Sequence, residues 1–150
     1  KTPKARKVAR LFPIKYVPVC NQTKIERDQT GDQNVMRVLN DSTLLLHKAR
    51  PHAWKYWAEN AGLAELKPKK IIYVDSMFSL ARAAEQGVGI ALIPLPVSKD
   101  WLESGSLIPV HSKHLVTEDF YWILINGNSS RRKAALVFFQ WMLEKFQKYR

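Results

Sequence analysis

Between residues 71 and 94 the spacing of apolar positions changes twice. Ile71 to Val74 is a continuous β-rich apolar run, the pattern of a strand buried on both faces. Met77, Leu80, Ala81 and Ala84 then recur at helical spacing. Asp75 and Ser76 stand just before them and carry the side-chain oxygens that cap a helix start. Gly87 suits the left-handed residue that stops a helix. Val88 to Ile93 is a second apolar run, closed by Pro94. Two strands joined by a helix predict a parallel, right-handed βαβ unit. The helix start then lies at the carboxyl edge of the sheet, where free amides and the helix dipole face outward. Ligands of open α/β sheets bind at that edge. Asp75 and Ser76 are therefore read two ways, as caps alone or as caps that also meet a ligand.

The same reading extends along the chain. Leu11 to Cys20 predicts an extended strand, kept near an edge or at strand ends by Pro13 and Pro18. Residues 21–34 are polar and turn-rich, and Val35 to Leu39 fits one helical turn. Thr43 to His47 reads as a strand. Pro51 opens a helix whose apolar face is Ala53, Trp54, Trp57, Ala58 and Ala61, ended by Gly62. The two tryptophans, spaced i, i+3 beside alanines, are core rather than a stacking platform. Residues 98–105 predict a short helix, Leu107 to Val110 a short strand and Phe120 to Asn126 a stronger one. Gly127 and Asn128 turn the chain, and Ser129 or Ser130 caps a helix running to about Tyr149. Its stripe is Leu136, Phe139, Met142, Leu143 and Phe146. Val137, Phe138 and Trp141 widen the stripe, which predicts a helix covered on more than one side.

Composition narrows the class. The 150 residues are 46% hydrophobic, enough for one domain or two small lobes. No apolar run reaches the length of a membrane span, and residues 1–10 form a basic tail rather than a signal peptide. One cysteine, Cys20, excludes an internal disulfide and fits a reducing, cytoplasmic setting. The formal net charge of +11 favours anionic partners. The basic clusters lack interleaved base-reading side chains, so DNA reading by this stretch has little support.

Candidate chemistry is sparse. His111 and His114 are spaced for a helical metal pair, but they fall between two strands and lack a third ligand. Gly105-Ser106-Leu107 is not a nucleophile elbow. Gly87-Val-Gly89 follows a helix instead of opening one, so it is no dinucleotide loop. No nucleophile stands beside a base, and no cofactor or metal is expected. The pattern suggests binding rather than catalysis.

The order of motifs carries a resemblance. It runs Trp54-x-x-Trp57 before Ala61-Gly62, then Val74-Asp75-Ser76, then Ala83-Ala84-x-x-Gly87-Val-Gly-Ile-Ala-Leu-Ile-Pro94. Leu102-x-x-Gly105-x-Leu107, Tyr121-Trp122 and Phe139-x-Trp141-Met142 follow. This resembles the effector-binding domain of LysR-type bacterial transcriptional regulators over about residues 11–147. The nearest subgroup is that of the glycine-cleavage and β-lactamase activators. The resemblance implies an α/β fold like that of periplasmic binding proteins. One complete lobe would span about residues 20–105. Residues 106–150 would supply the returning strand and C-terminal helix of the other lobe. It also implies an N-terminally truncated domain, since a winged helix-turn-helix and half of the first lobe would precede residue 11. Where the family often has Ser-Pro after the first strand, this chain has Asn21-Gln22.

What the resemblance implies for function is a non-enzymatic sensor. A small anionic or amino-acid-like effector would bind in an interlobe cleft, and DNA would be met only through the helix-turn-helix. Carried over residue by residue, Asp75, Ser76 and Met77 match the cleft-facing helix start. Thr43 matches the start of a strand whose polar residues line the cleft, and Tyr121 matches an aromatic that closes over the effector. An incomplete lobe would expose strand edges and apolar surface, which predicts a homo-oligomer. The competing readings are a solute-binding protein of a transport system and a basic nucleic-acid-binding adaptor. An enzyme would have to show turnover.

Overall fold

A computed structural model describes residues 7–24, 32–63, 65–125 and 132–149. The chain divides into two compact units, Lys15–Leu115 and Lys1–Ile14 with Val116–Arg150. Among the described residues no helix is long and apolar enough to cross a membrane.

The larger unit is an open, mixed sheet with helices on its faces. Its strands are the second half of β1 (Lys7–Cys20), β2 (Thr43–His47), β3 (Lys70–Val74), β4 (Ile90–Leu95) and β5 (Ile108–Pro109). They lie in the order β3-β2-β4-β1-β5. β2 runs parallel to both β3 and β4, and β1 runs antiparallel to β4 and β5. The helices are α1 (Asp32–Asp41), α2 (Ala53–Ala61), α3 (Met77–Glu85) and α4 (Lys99–Glu103).

The β3-α3-β4 unit forms as the periodicity predicts, with β2 inserted between its two strands. That insertion overturns one expectation. β3 is outermost in the sheet order, not buried on both faces: Ile71 and Tyr73 are 39% and 51% exposed. The doubly covered strand is β2, whose Leu44, Leu45 and Leu46 are all buried. β1 lies next to the edge, between β4 and the two-residue β5, and Pro18 stands close to its end, as its prolines predict. Pro18 turns its carbonyl toward β5, where it accepts from the Val110 N–H at 2.9 Å. Its missing donor therefore falls where the two-residue β5 ladder is already ending. Pro94 stays in β4 opposite Tyr16 instead of closing the strand. Its carbonyl accepts from Ser98 N–H, off the β1 ladder. On the other side β2 pairs with β4 only at Ile90 and Ala91, so no ladder bond needs the absent proline donor.

Alternation along the strands sends side chains to two faces. Leu45, Ala91, Ile93, Val17 and Val19 meet Leu80, Ala81 and Ala84 of α3, and Leu107 closes that cluster. α2 covers the other face. Trp54 and Trp57 are buried there, and each indole N–H is satisfied, by Leu45 O at 3.1 Å and Lys113 O at 3.0 Å. Gly62 and Gly87 both end helices at φ 74°, the left-handed region that favours glycine. α1 is longer than the single turn expected from residues 35–39, because Asp32 to Asn34 continue the helix at its start.

In the smaller unit, β6 (Leu115–Ile125) pairs with β1, and the Thr117 hydroxyl donates to Ile14 O at 2.9 Å. Strand β1 begins at Lys7, so four residues expected in the basic tail are ordered ladder. α5 (Arg132–Lys145) buries Phe139, with the Lys7 ammonium 4.9 Å from its ring centroid. The expectation that α5 is covered on more than one side fails. Val137, Phe138 and Trp141 are 64%, 56% and 50% exposed. The helix leans its Phe139 side on this unit and leaves the flank beside it in solvent. The turn and cap expected at Gly127 to Ser130 lie outside the described residues.

Candidate functional site at the start of helix α3

β3 delivers the chain to the carboxyl edge of the sheet at Val74. Asp75 follows, and Ser76 takes an extended conformation (φ −123°, ψ 127°) as the N-cap of α3. Its Oγ accepts from the Ser79 N–H at 3.3 Å. The hydroxyl hydrogen is thereby left to donate elsewhere. The first turn of α3 carries no acidic residue, whereas Arg82 stands in the last turn. Arg82 is itself paired with Glu85 in that last turn, so its charge is spent there, and the positive end of the dipole has no counter-charge on the helix itself.

Strand β2 ends level with β3, since His47 is the register partner of Val74. The residues after β2 therefore join the same edge. The Lys48 N–H donates to Val74 O at 2.8 Å, and its ammonium lies 3.8 Å from the Asp75 carboxylate. Both side chains are exposed, so this pair is solvated and easily exchanged for another anion. The Arg50 N–H donates to His47 O, and its guanidinium lies 5.8 Å from the Tyr16 ring centroid. The Ala49 N–H donates to His47 Nδ1 at 3.1 Å.

Asp75, Ser76 and Met77 are thus brought together at one edge. Met77 packs its side chain against the α3 core cluster, so only its backbone N–H faces the edge as a donor. Thr43 is not brought to them. It opens β2 opposite Lys70, at the amino edge of the parallel pair. Four strand steps, about 13 Å, separate that edge from the carboxyl one. The strand's direction is the reason: in a parallel pair, starts are level with starts. Tyr121 lies in the smaller unit, half-buried, its ring 4.9 Å from that of Phe12.

Two residues at the edge escaped the sequence reading. Lys48 was discoverable from strand direction, because residues after a parallel strand meet the start of the next helix. Phe78 is the second residue of α3 and 60% exposed, edge-on to Trp101 at 5.5 Å. Its signal was an aromatic off the 77/80/81/84 stripe.

The shifted carboxylates lie elsewhere. The Arg82 guanidinium, hydrogen-bonded at 2.6 Å, holds the Glu85 carboxyl below its ordinary range at the far end of α3. The Lys69 ammonium does the same for Asp41 from 2.9 Å. Among the described residues no three His, Cys, Asp or Glu side chains gather to hold a metal ion. His111 and His114 lie between β5 and β6. The Lys113 N–H donates to His111 Nδ1, and the His114 carbonyl accepts from the Asn60 amide.

Comparison with known proteins gives this edge a context. Residues 5–147 match the family described as the LysR substrate binding domain. The HTH-type transcriptional activator AmpR of Pseudomonas aeruginosa is 32% identical over 101 residues, 67% of this chain and 34% of that protein. The HTH-type transcriptional regulator TrpI of the same organism is 31% identical over 106 residues, 70% of this chain and 35% of that protein. The chain thus spans about a third of the length of these relatives. Among solved structures, the effector domain of Pseudomonas aeruginosa AmpR superimposes with a TM-score of 0.73 at 26% identity, over 94% of this chain and 65% of that one. The AmpR effector binding domain of Citrobacter freundii gives 0.71 at 20% identity, over 95% and 68%. The fold is therefore the α/β, periplasmic-binding-protein-like fold of these effector domains, as the motif order implied. The chain belongs to the LysR substrate-binding-domain family.

Proposed function

We propose that this chain senses a small carboxylate or amino-acid-like effector, received at the start of α3. The observation that carries the reading is the Ser76 cap, which leaves a donor-rich helix start without an acidic residue in its first turn. The Met77 and Phe78 amides, the Ser76 hydroxyl and the Lys48 ammonium would hold the carboxylate. The Asp75 carboxylate, now 3.8 Å from Lys48, would release Lys48 to the ligand or take the ligand's ammonium. In the whole regulator, preference of the effector for one conformation would bias an attached helix-turn-helix and its assembly on DNA. No turnover is needed for that role.

The test is calorimetric titration of the full chain with L-amino acids and short carboxylates, set against their amides. Ser76→Gly is the informative variant. Glycine caps a helix almost as well as serine, costing only a few tenths of a kcal/mol, so the helix start survives while the hydroxyl goes. Lys48→Gln removes the charge from a side chain outside the core. Carboxylates are expected to bind and amides to bind much more weakly. Each variant should weaken the carboxylate by about tenfold, the worth of one hydrogen bond to a charged group. Equal binding of acids and amides, or indifference to both variants, would refute the reading.

A further inference from the structure

A second concavity lies in the larger unit, on the sheet face away from α3. Leu44 and Leu46 point there, because Leu45 between them is spent in the α3 cluster. With Ile71 of β3 they floor a cavity of about 450 Å³. Trp54 and Ala58 of α2 form one wall, and Leu66 forms the other. The Trp54 N–H is already bonded to Leu45 O, so the indole offers carbon and not a donor. The volume falls in the range of small-molecule sites, which are mostly apolar with a few polar groups on the margin.

The margin carries Lys55, Glu59 and Glu65. Lys55 and Glu59 neutralise each other one helical turn apart, at 3.9 Å. No cation among the described residues pairs with Glu65. The rim therefore keeps one negative charge, in a chain whose formal net charge is +11. An apolar cavity with a single carboxylate on its lip selects an apolar body carrying one ammonium. We infer that this cavity is a second small-molecule site, taking an arylalkyl amine or a compound of that chemistry. Its preference is opposite in charge to that of the α3 start, and it does not depend on that site.

The probe is phenethylamine, titrated into the full chain by calorimetry and by the Trp54 indole N–H resonance. Phenethyl alcohol and phenylpropionate share the body without the positive charge. The amine is expected to bind about threefold more tightly than the alcohol, the scale of an exposed ion pair, and the acid to bind most weakly. Glu65→Gln should erase the difference between amine and alcohol. Ile71→Trp fills the floor from a β-tolerant, partly exposed position and should abolish binding of both. Leu66→Trp does the same from the loop if the strand variant unfolds. Ser76→Gly should change nothing here. The inference falls if phenylpropionate binds as well as the amine, if none of the three binds at millimolar concentration, or if neither tryptophan variant blocks binding. It also falls if Ser76→Gly abolishes amine binding.

Discussion

Single residues hold this fold through contacts that are distant in sequence. Gly89 is one. A Cβ built there would stand 2.3 Å from the Thr43 carbonyl oxygen and 3.2 Å from Leu45 Cγ. The obstacle is backbone, fixed by the β2–β4 pairing beside it, so it cannot yield as a side-chain tip would. Gly89→Ala should therefore cost about 2–3 kcal/mol or more in urea unfolding, the range of core overpacking. Trp57→Phe should cost about 2 kcal/mol, through the emptied volume and the lost donor to Lys113 O. A Gly89→Ala protein as stable as the parent would mean that β2 and β4 lie further apart in solution. The sequence shows Gly87-Val-Gly89 but not that its glycines serve unlike purposes. Gly87 answers to its own φ, which local pattern reports. Gly89 answers to β2, which no local pattern reports. The same limit explains Thr43 and Lys48. Thr43 opens one predicted strand and Lys48 follows it, and only the parallel register decides which one shares an edge with Ser76.

At the scale of elements, periodicity found the strands and helices of the larger unit and the buried faces of α2 and α3, but misjudged how β3 is covered. An apolar run such as Ile71 to Val74 looks alike whether a strand is central or outermost, because sheet order is not a local property. α5 shows the converse. Its apolar positions surround much of the helix, yet only Phe139 is fully enclosed, while Val137, Phe138 and Trp141 stay half exposed or more. The two kinds of position should separate sharply. Phe139→Ala is expected to lose about 3–5 kcal/mol. Val137→Lys and Phe138→Gln should each stay within about 0.5 kcal/mol, as surface changes do. Denaturant unfolding at several protein concentrations is the measurement. If Phe138→Gln is as costly as Phe139→Ala, and the cost grows with concentration, then a second copy covers that flank. The motif order, by contrast, made the family legible. It depends on spacing between elements, which survives even where each motif alone is weak.

For the whole molecule the deciding quantity is charge. Twenty-four lysines and arginines face thirteen aspartates and glutamates. Each carboxylate that gains a proton adds to an existing positive excess and to self-repulsion in the compact state. Two carboxylates contribute more than their share. The Arg82 hydrogen bond lowers Glu85, and the Lys69 hydrogen bond lowers Asp41. Their folded values lie below their unfolded ones. The stabilisation from each is therefore complete above the ordinary carboxylate range, about pH 4, and is lost as pH falls through the lower folded values. Unfolding free energy, followed in urea from neutral pH into that acid window, should stay level with respect to these pairs and then decline. A double variant, Lys69→Gln with Arg82→Gln, should start less stable than the parent at neutral pH. As both carboxylates become protonated in parent and variant alike, the gap should narrow with acid. A gap that holds constant down to the acid limb would show that the two cations act by packing alone, through the stems that carry them, and not by holding Asp41 and Glu85 ionised.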